Sequence, residues 1–190
     1  MTSHASKLPV KTFSYFRRLS PFLSPTDTPS SLAEAEKLLS QHQTIKEEID
    51  NYRDEYAKMM EYGEKITAEP STQDDPQYMF LRERLKALGE GWAELQQMWE
   101  NRQQLLTQSL ELQLLQRDAR QAEVLLAHQE LRLAKTEPPT NLEQAENLIK
   151  EHEAFLTTME ANDDKINSVV QFANRLVEER HFDADKVQRK

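Results

Sequence analysis

The sequence predicts an all-α fold: elongated helical bundles in tandem, two repeats joined by one long continuous helix. Three observations lead there. The composition is helical, with 30% charged residues and only three Gly in 190 positions. Leu, Glu, Gln, Ala and Lys are prominent, and these straight-chain residues lose little entropy in a helix. A stretch then occurs twice, 110 residues apart: Ser31-Leu32-Ala33-Glu34-Ala35-Glu36-Lys37-Leu38-Leu39-Ser40-Gln41-His42-Gln43 returns as Asn141-Leu142-Glu143-Gln144-Ala145-Glu146-Asn147-Leu148-Ile149-Lys150-Glu151-His152-Glu153. Internal repetition of this kind marks a modular array. Finally, no proline or turn cluster interrupts the chain from Gln77 to Lys135.

Residues 1–30 are a different material. Lys7, Lys11, Arg17 and Arg18 precede the first acid, Asp27, and Pro9, Pro21, Pro25 and Pro29 argue against a long helix. A disordered or alternatively encoded basic, Pro/Ser-rich leader is expected. Basic, acid-poor N-termini resemble mitochondrial transit peptides, but the prolines interrupt the amphipathic helix such peptides need. Phe13, Tyr15 and Phe16 beside Arg17 and Arg18 form a patch too short for more than weak membrane contact.

Pro29-Ser30-Ser31 reads as a helix start, with Glu34 three residues beyond Ser31 as a capping box. The apolar stripe then falls at 32, 35, 39, 42, 45, 49, 52, 56, 59, 63 and 66, a heptad pattern with one stammer at 39–42–45. The second copy runs 142, 145, 149, 152, 155, 159, 162, 166, 169, 173 and 176, with the stammer in the same place. A shared irregularity marks a true repeat more strongly than shared regularity.

Ala68 to Pro76 is a loop, with Asp74 or Asp75 placed to cap the next helix and Pro76 in its first turn. That helix carries Leu81, Leu85, Leu88, Trp92, Leu95 and Trp99, then Leu112, Leu115, Ala119, Ala122, Leu126 and Leu133. Gly89 and Gly91 cost it about 1 kcal/mol each. At nearly 60 residues it reaches on the order of 90 Å, and Pro138-Pro139 ends it. Its first half is expected to pack on the helix before it and its second half on the helix after it. Leu105 to Gln113 then belongs to neither bundle, and Gln103, Gln104, Gln108 and Gln113 keep that stretch soluble or let it unwind under load. The last helix runs from about Asn141 to Glu179, followed by a charged tail.

Leu85-Lys86-Ala87-Leu88-Gly89-Glu90-Gly91-Trp92-Ala93-Glu94-Leu95, followed by Trp99-Glu100-Asn101-Arg102, resembles the third helix of a spectrin repeat. Asp118-Ala119-Arg120-Gln121-Ala122-Glu123 resembles the start of a first helix, and Ser31–Ile66 and Asn141–Leu176 resemble second helices. The 110-residue offset is close to the family's period, and the texture is most similar to internal repeats of a beta-type spectrin chain. The resemblance covers residues 31–190. It implies residues 31–110 as a repeat with helices B and C but no A, and 111–190 as one with A and B but no C. Leu125 stands where the family commonly has Trp. The expected structural core is Leu39, Ile49, Met59, Leu85, Trp92, Leu95, Trp99, Leu125, Leu142, Ile149, Phe155 and Val169. A fragment of a longer rod or a truncated isoform is expected, ahead of an open end built to take a helix from another chain.

Other chemistries find little support. No Cys is present, so there is no disulfide, thiolate metal site or cysteine nucleophile, which suits a reducing interior. No apolar run approaches the ~20 residues of a membrane span. A net charge of −9 argues against nucleic acid and anionic membranes. His42 and His152, equivalent on the stripe, invite a pH-switch or metal reading, but helix contacts with the ring tips in water are expected. His152-Glu153 fails as a zinc-protease motif because position 156 is Leu156. His181 and Asp183 are too isolated to form a site. Glu47-Glu48, Asp74-Asp75 and Asp163-Asp164 read as solvated faces rather than acid–base machinery. Trp92 and Trp99, one heptad apart, read as packing residues. No catalytic, cofactor-binding or metal residue is assigned, and no enzyme, nucleic-acid or small-molecule function is expected.

The resemblance implies a structural, non-catalytic rod segment: an elastic spacer of the actin-linked membrane skeleton, cytoplasmic and cortical beneath the plasma membrane. Its implied partners are an alpha-type spectrin chain, paired antiparallel, and actin and membrane adaptors reached through the parent protein. The alternative is a binding module whose open groove captures a partner helix or docks a membrane adaptor of ankyrin type.

Overall fold

The computed structural model describes residues 8–23, 27–72, 74–135 and 137–188. Among them are five α-helices: α1 (Leu8–Leu23), α2 (Leu32–Thr67), α3 (Pro76–Ala134), α4 (Leu142–Glu178) and α5 (Ala184–Gln188), with a 3-10 turn at Pro70–Thr72. The chain divides into two units, Met1–Thr107 and Gln108–Lys190, and α3 contributes to both.

Unit 1 differs from the expected disordered leader at residues 8–23, where a helix stands beside α2. Residues 8–23 form α1, and its Leu19 and Leu23 are buried in one cluster with Ile49 of α2 and Trp92 and Leu95 of α3. The prolines fall near the two ends of this helix and do not prevent it. Pro9 lies in the first turn, where missing N–H groups cost nothing, and Pro21 lies in the last. Arg18 adds a 3.0 Å ion pair to Glu48, with both side chains well exposed, so it contributes little. Residues 1–7 and 24–26, Lys7 and Pro25 among them, and the side chains of Lys11, Phe13, Tyr15 and Phe16 lie outside what is described.

Both long repeat helices start with the same polar clasp. Ser31 Oγ accepts from Glu34 N at 3.3 Å, while Glu34 Oε2 accepts from Ser30 N and Ser30 Oγ, each at 2.8 Å. At α4, Asn141 Oδ1 accepts from Gln144 N at 2.9 Å, while Gln144 Oε1 accepts from Thr140 N at 2.9 Å and Thr140 Oγ1 at 2.7 Å. The Ser30 bonds hold the Glu34 carboxyl below the usual carboxylate range. Asp75 caps α3, its Oδ1 accepting from Gln77 N at 2.8 Å. At the other end of α2, Arg82 Nη1 reaches from α3 to the orphan carbonyl of Thr67 at 3.0 Å.

Gly63 sits where α2 lies close against α3. A Cβ there would lie 2.6 and 2.7 Å from the two methyls of Leu85, which is itself buried. A Cβ at Gly89 would meet only Met60 and Tyr56, both at 3.8 Å.

Unit 2 has its core at one end of α4. Leu112 and Leu115 of α3 pack with Leu176 of α4 and Val187 of α5, ringed by Val169, Phe172, Ala173 and Val177. The expected charged tail therefore contains a short helix that closes this core. The turn that brings it back is a Schellman motif: His181 N donates to Leu176 O at 3.0 Å, Arg180 N donates to Val177 O at 3.1 Å, and Arg180 has φ 56°. The stretch Leu105–Gln113, expected to belong to neither bundle, is instead buried in part. Leu106 in unit 1 and Ser109 and Leu112 in unit 2 are all under one-tenth exposed.

The two glycines give opposite expectations. Gly89→Ala raises stability by about 0.5–1 kcal/mol, the helix-propensity gain. Gly63→Ala lowers it, because overpacking Leu85 costs about 1–3 kcal/mol and exceeds that gain. Urea denaturation of each variant decides the signs.

Candidate interaction surface

The seam of unit 1 is aromatic and closed. Tyr56 stacks on Trp92 with centroids 4.4 Å apart and planes at 10°. One heptad on, His42 stacks on Trp99 at 4.8 Å and 8°. His42 Nε2–H donates to the Trp99 carbonyl at 3.0 Å, and the Trp99 indole N–H donates back to the His42 carbonyl at 3.2 Å. Lys46 Nζ stands 5.3 Å from the Trp99 ring centroid. One turn beyond, Arg102 is buried and its Nη1 donates to the Asp27 carbonyl at 2.9 Å. The expectation that the His42 ring tip sits in water is thus corrected: the residue is 2% exposed and its tip is held by a backbone carbonyl.

Unit 2 presents the opposite situation. His152, the repeat equivalent of His42, is exposed and makes a 6.4 Å tilted contact with Phe155. Leu142 and Ile149, expected in the core, are 76% and 59% exposed. Met159, the equivalent of the buried Ile49, is exposed as well. The physical cause is the number of partners. In unit 1 the stripe of α2 packs with α3 and α1, whereas among the described residues the core of α4 is shared with α3 and the short α5. Phe155 and Leu176 face those partners and are buried; Leu125 and Val169 are half-buried. In unit 1, Leu85, Trp92, Leu95 and Ile49 are buried, while Leu39, Met59 and Trp99 are half-buried.

The uncovered face includes a groove of about 1150 Å³ beside the connection between α3 and α4, lined by Leu133, Pro138, Leu148, Ile149, His152 and Phe155 among others. Arg132 lies over the Phe155 ring at 4.9 Å, so the groove floor is apolar with a cationic lid. Val124, Leu126 and Leu131 of α3, outside the groove, are exposed as well.

Sequence reasoning set aside His181, and the structure gives it a role. It is buried, its Nε2–H donates to the Gln108 carbonyl at 2.7 Å, and its Nδ1 accepts from Asp183 N at 3.0 Å. Phe182 N donates to Gln108 Oε1 at 3.3 Å. The turn after α4 is thereby pinned to α3, and Gln108 serves as its anchor rather than as a solubilising residue. The signal that could have located it is the Glu-Arg-His-Phe-Asp break in the apolar stripe, which marks a turn but not its docking point. Among the described residues, no group of His, Asp and Glu is placed to hold a metal ion, and no helix is long and apolar enough to cross a membrane.

The profile described as Spectrin repeat matches residues 16–108 and 110–190. The chain belongs to the spectrin repeat family. Its first match begins inside α1, so the family pattern includes the helix that the prolines obscured. Among similar proteins, the spectrin beta chain of Drosophila melanogaster is 70% identical over 161 residues, covering 85% of this chain and 7% of that protein. The erythrocytic spectrin beta chain of Mus musculus is 47% identical over 164 residues, 86% of this chain and 8% of the relative. The non-erythrocytic spectrin beta chain 4 of Homo sapiens is 37% identical over 160 residues, 84% and 6% respectively. The chain thus spans less than a tenth of each relative's length. Its spectrin-repeat character is structural rather than enzymatic.

Equivalent positions of the two repeats should differ in cost. Ile49→Ala, in the closed seam, loses about 2–5 kcal/mol. Met159→Ala, on the open face, changes stability by about 0.5 kcal/mol or less. Equal losses in thermal or urea denaturation would mean that unit 2 is covered in solution.

Proposed function

We propose that this chain is a rod segment of a beta-type spectrin, an elastic spacer and scaffold in the actin-linked membrane skeleton at the cell cortex. The observation that supports this most is α3. One helix carries Leu88, Trp92 and Leu95 into the core of unit 1 and Leu112 and Leu115 into that of unit 2. Repeats that share a helix are coupled in series, because melting that helix in one removes support from the next. In this reading extension under load is the stepwise loss of bundles. Antiparallel pairing with an alpha-type spectrin chain, and links to actin and membrane adaptors, belong to the longer protein.

Breaking α3 tests the coupling. Trp92 and Trp99 are the only tryptophans and both lie in unit 1, so their fluorescence follows that unit while circular dichroism follows all helices. In the parent chain the two signals should be lost together. Gln104→Pro, at an exposed position of α3, should cost about 3 kcal/mol and separate the two transitions. Coincident transitions in the proline variant would remove the basis for mechanical coupling.

A second reading is favoured by the groove and the exposed Leu142 and Ile149 in unit 2: a binding module that takes an amphipathic helix there, or docks a membrane adaptor of ankyrin type. A synthetic peptide of residues 85–106 carries the Leu/Trp stripe that fills the equivalent face of unit 1. If unit 2 captures such a helix, excess peptide raises the chain's dichroism midpoint by mass action. A midpoint indifferent to peptide counts against capture.

A further inference from the structure

We propose that His42 is an acid-sensitive latch in the first repeat. In its neutral form it locks α2 to α3 at Trp99, and protonation releases that lock, so that unit 1 opens more readily in mildly acidic surroundings. Burial without a carboxylate partner favours a neutral ring. His42 is buried between two helices, lies flat on Trp99, and its Nε2 donates to a neutral backbone carbonyl rather than to a carboxylate. The ring is also part of a reciprocal pair, since the Trp99 indole donates to His42's own carbonyl. Moving the ring therefore breaks its hydrogen bond and the stack together.

The charges around the ring add to the case. From α2 itself, Lys46 lies over the Trp99 face. From α3, Arg102 is buried one turn beyond Trp99 and raises the cost of a second cation. The segment before α2 supplies Asp27, whose carbonyl is taken by Arg102 and whose charge acts on that guanidinium. α1 supplies Arg18, which is paired with Glu48. None of these carboxylates is hydrogen-bonded to the ring. A protonated His42 would thus be a buried cation among cations, which proteins avoid by staying neutral or by opening.

The sign follows. Burial pushes the His42 imidazole below its usual range, Arg102 pushes the same way, and the hydrogen bond to Trp99 opposes with smaller effect. The unfolded chain takes up a proton near pH 6.5, roughly the ordinary imidazole value, before the folded form does. The stabilising contribution is whole above that pH. It declines as the pH drops below it and is gone once the folded ring also protonates. His152, exposed at the equivalent place, has no such lock.

The test uses the full chain and the tryptophan signal, which reports unit 1. Between pH 7.5 and 5.5 the wild-type thermal midpoint should fall by about 4 °C or more. His42→Phe keeps the stack but cannot titrate, and should lose most of that difference. His152→Gln should retain it. A wild-type midpoint level across this range, or a difference that survives in His42→Phe, overturns the proposal. Should His42→Phe not fold, the assigned NMR titration of the wild-type His42 ring decides. A midpoint below about 6.5 supports the latch, and one at or above the ordinary imidazole value refutes it.

Discussion

The apolar stripe of α3 from Leu85 to Ala119 must be covered, and the rest of the structure answers that constraint. A helix of 59 residues has ample intrinsic propensity, but most of its stability in water comes from the face it buries. Each Leu taken fully from solvent contributes about 1.5–3 kcal/mol. Leu88, Leu95, Leu106, Leu112 and Leu115 are all nearly inaccessible. No single partner reaches all of them. α1 and α2 cover the first group and α4 and α5 the second, so two units form on one helix because its stripe is longer than any covering element.

Features set by local chemistry were legible in the sequence. The caps at Ser31 and Asn141 could be named because a side-chain oxygen beside an orphan N–H is a matter of residue type and spacing. The continuity of α3 could be named because helix breakers are local, and none lies between Pro76 and Pro138. α1 was hidden for the converse reason. Its prolines are the strongest local signal in residues 8–23, and what makes that segment helical is the cover that Leu19 and Leu23 find on Ile49, Trp92 and Leu95. That surface is assembled from residues far along the chain. Val187 and α5 were missed in the same way, since five residues declare nothing until they meet Leu176 and Leu112.

The repeat itself shows where sequence symmetry stops. Position by position, the two copies give the same helix, cap and stripe register. They do not give the same environment, because burial belongs to the partners as much as to the residue. Leu39 is half-buried and Ile149 exposed, Ile49 is buried and Met159 exposed, His42 is locked and His152 free of that lock. The reverse holds at Phe155 and Leu176, which are buried although their counterparts Ile45 and Ile66 are only half-buried. A core inferred from the stripe alone is a list of residues able to be buried, and the helices that cover each stripe decide which of them are.

Apolar stripes supply most of the stability but little choice of register, since a heptad shift presents nearly the same surface. The polar contacts between helices supply that choice. His42 and Trp99 exchange bonds with each other's carbonyls, Arg82 takes the carbonyl of Thr67, Arg102 that of Asp27, and His181 that of Gln108. In each case a side chain binds a backbone oxygen on another element, a target that a slide of one turn would move by about 5.4 Å. Each bond is worth only about 1 kcal/mol net, yet its loss leaves a buried polar group unpaired at a cost of about 1–3 kcal/mol. A slipped register would forfeit several together. These pins therefore select one alignment among those that the hydrophobic stripes alone would tolerate, the role that isolated buried polar residues play in coiled coils.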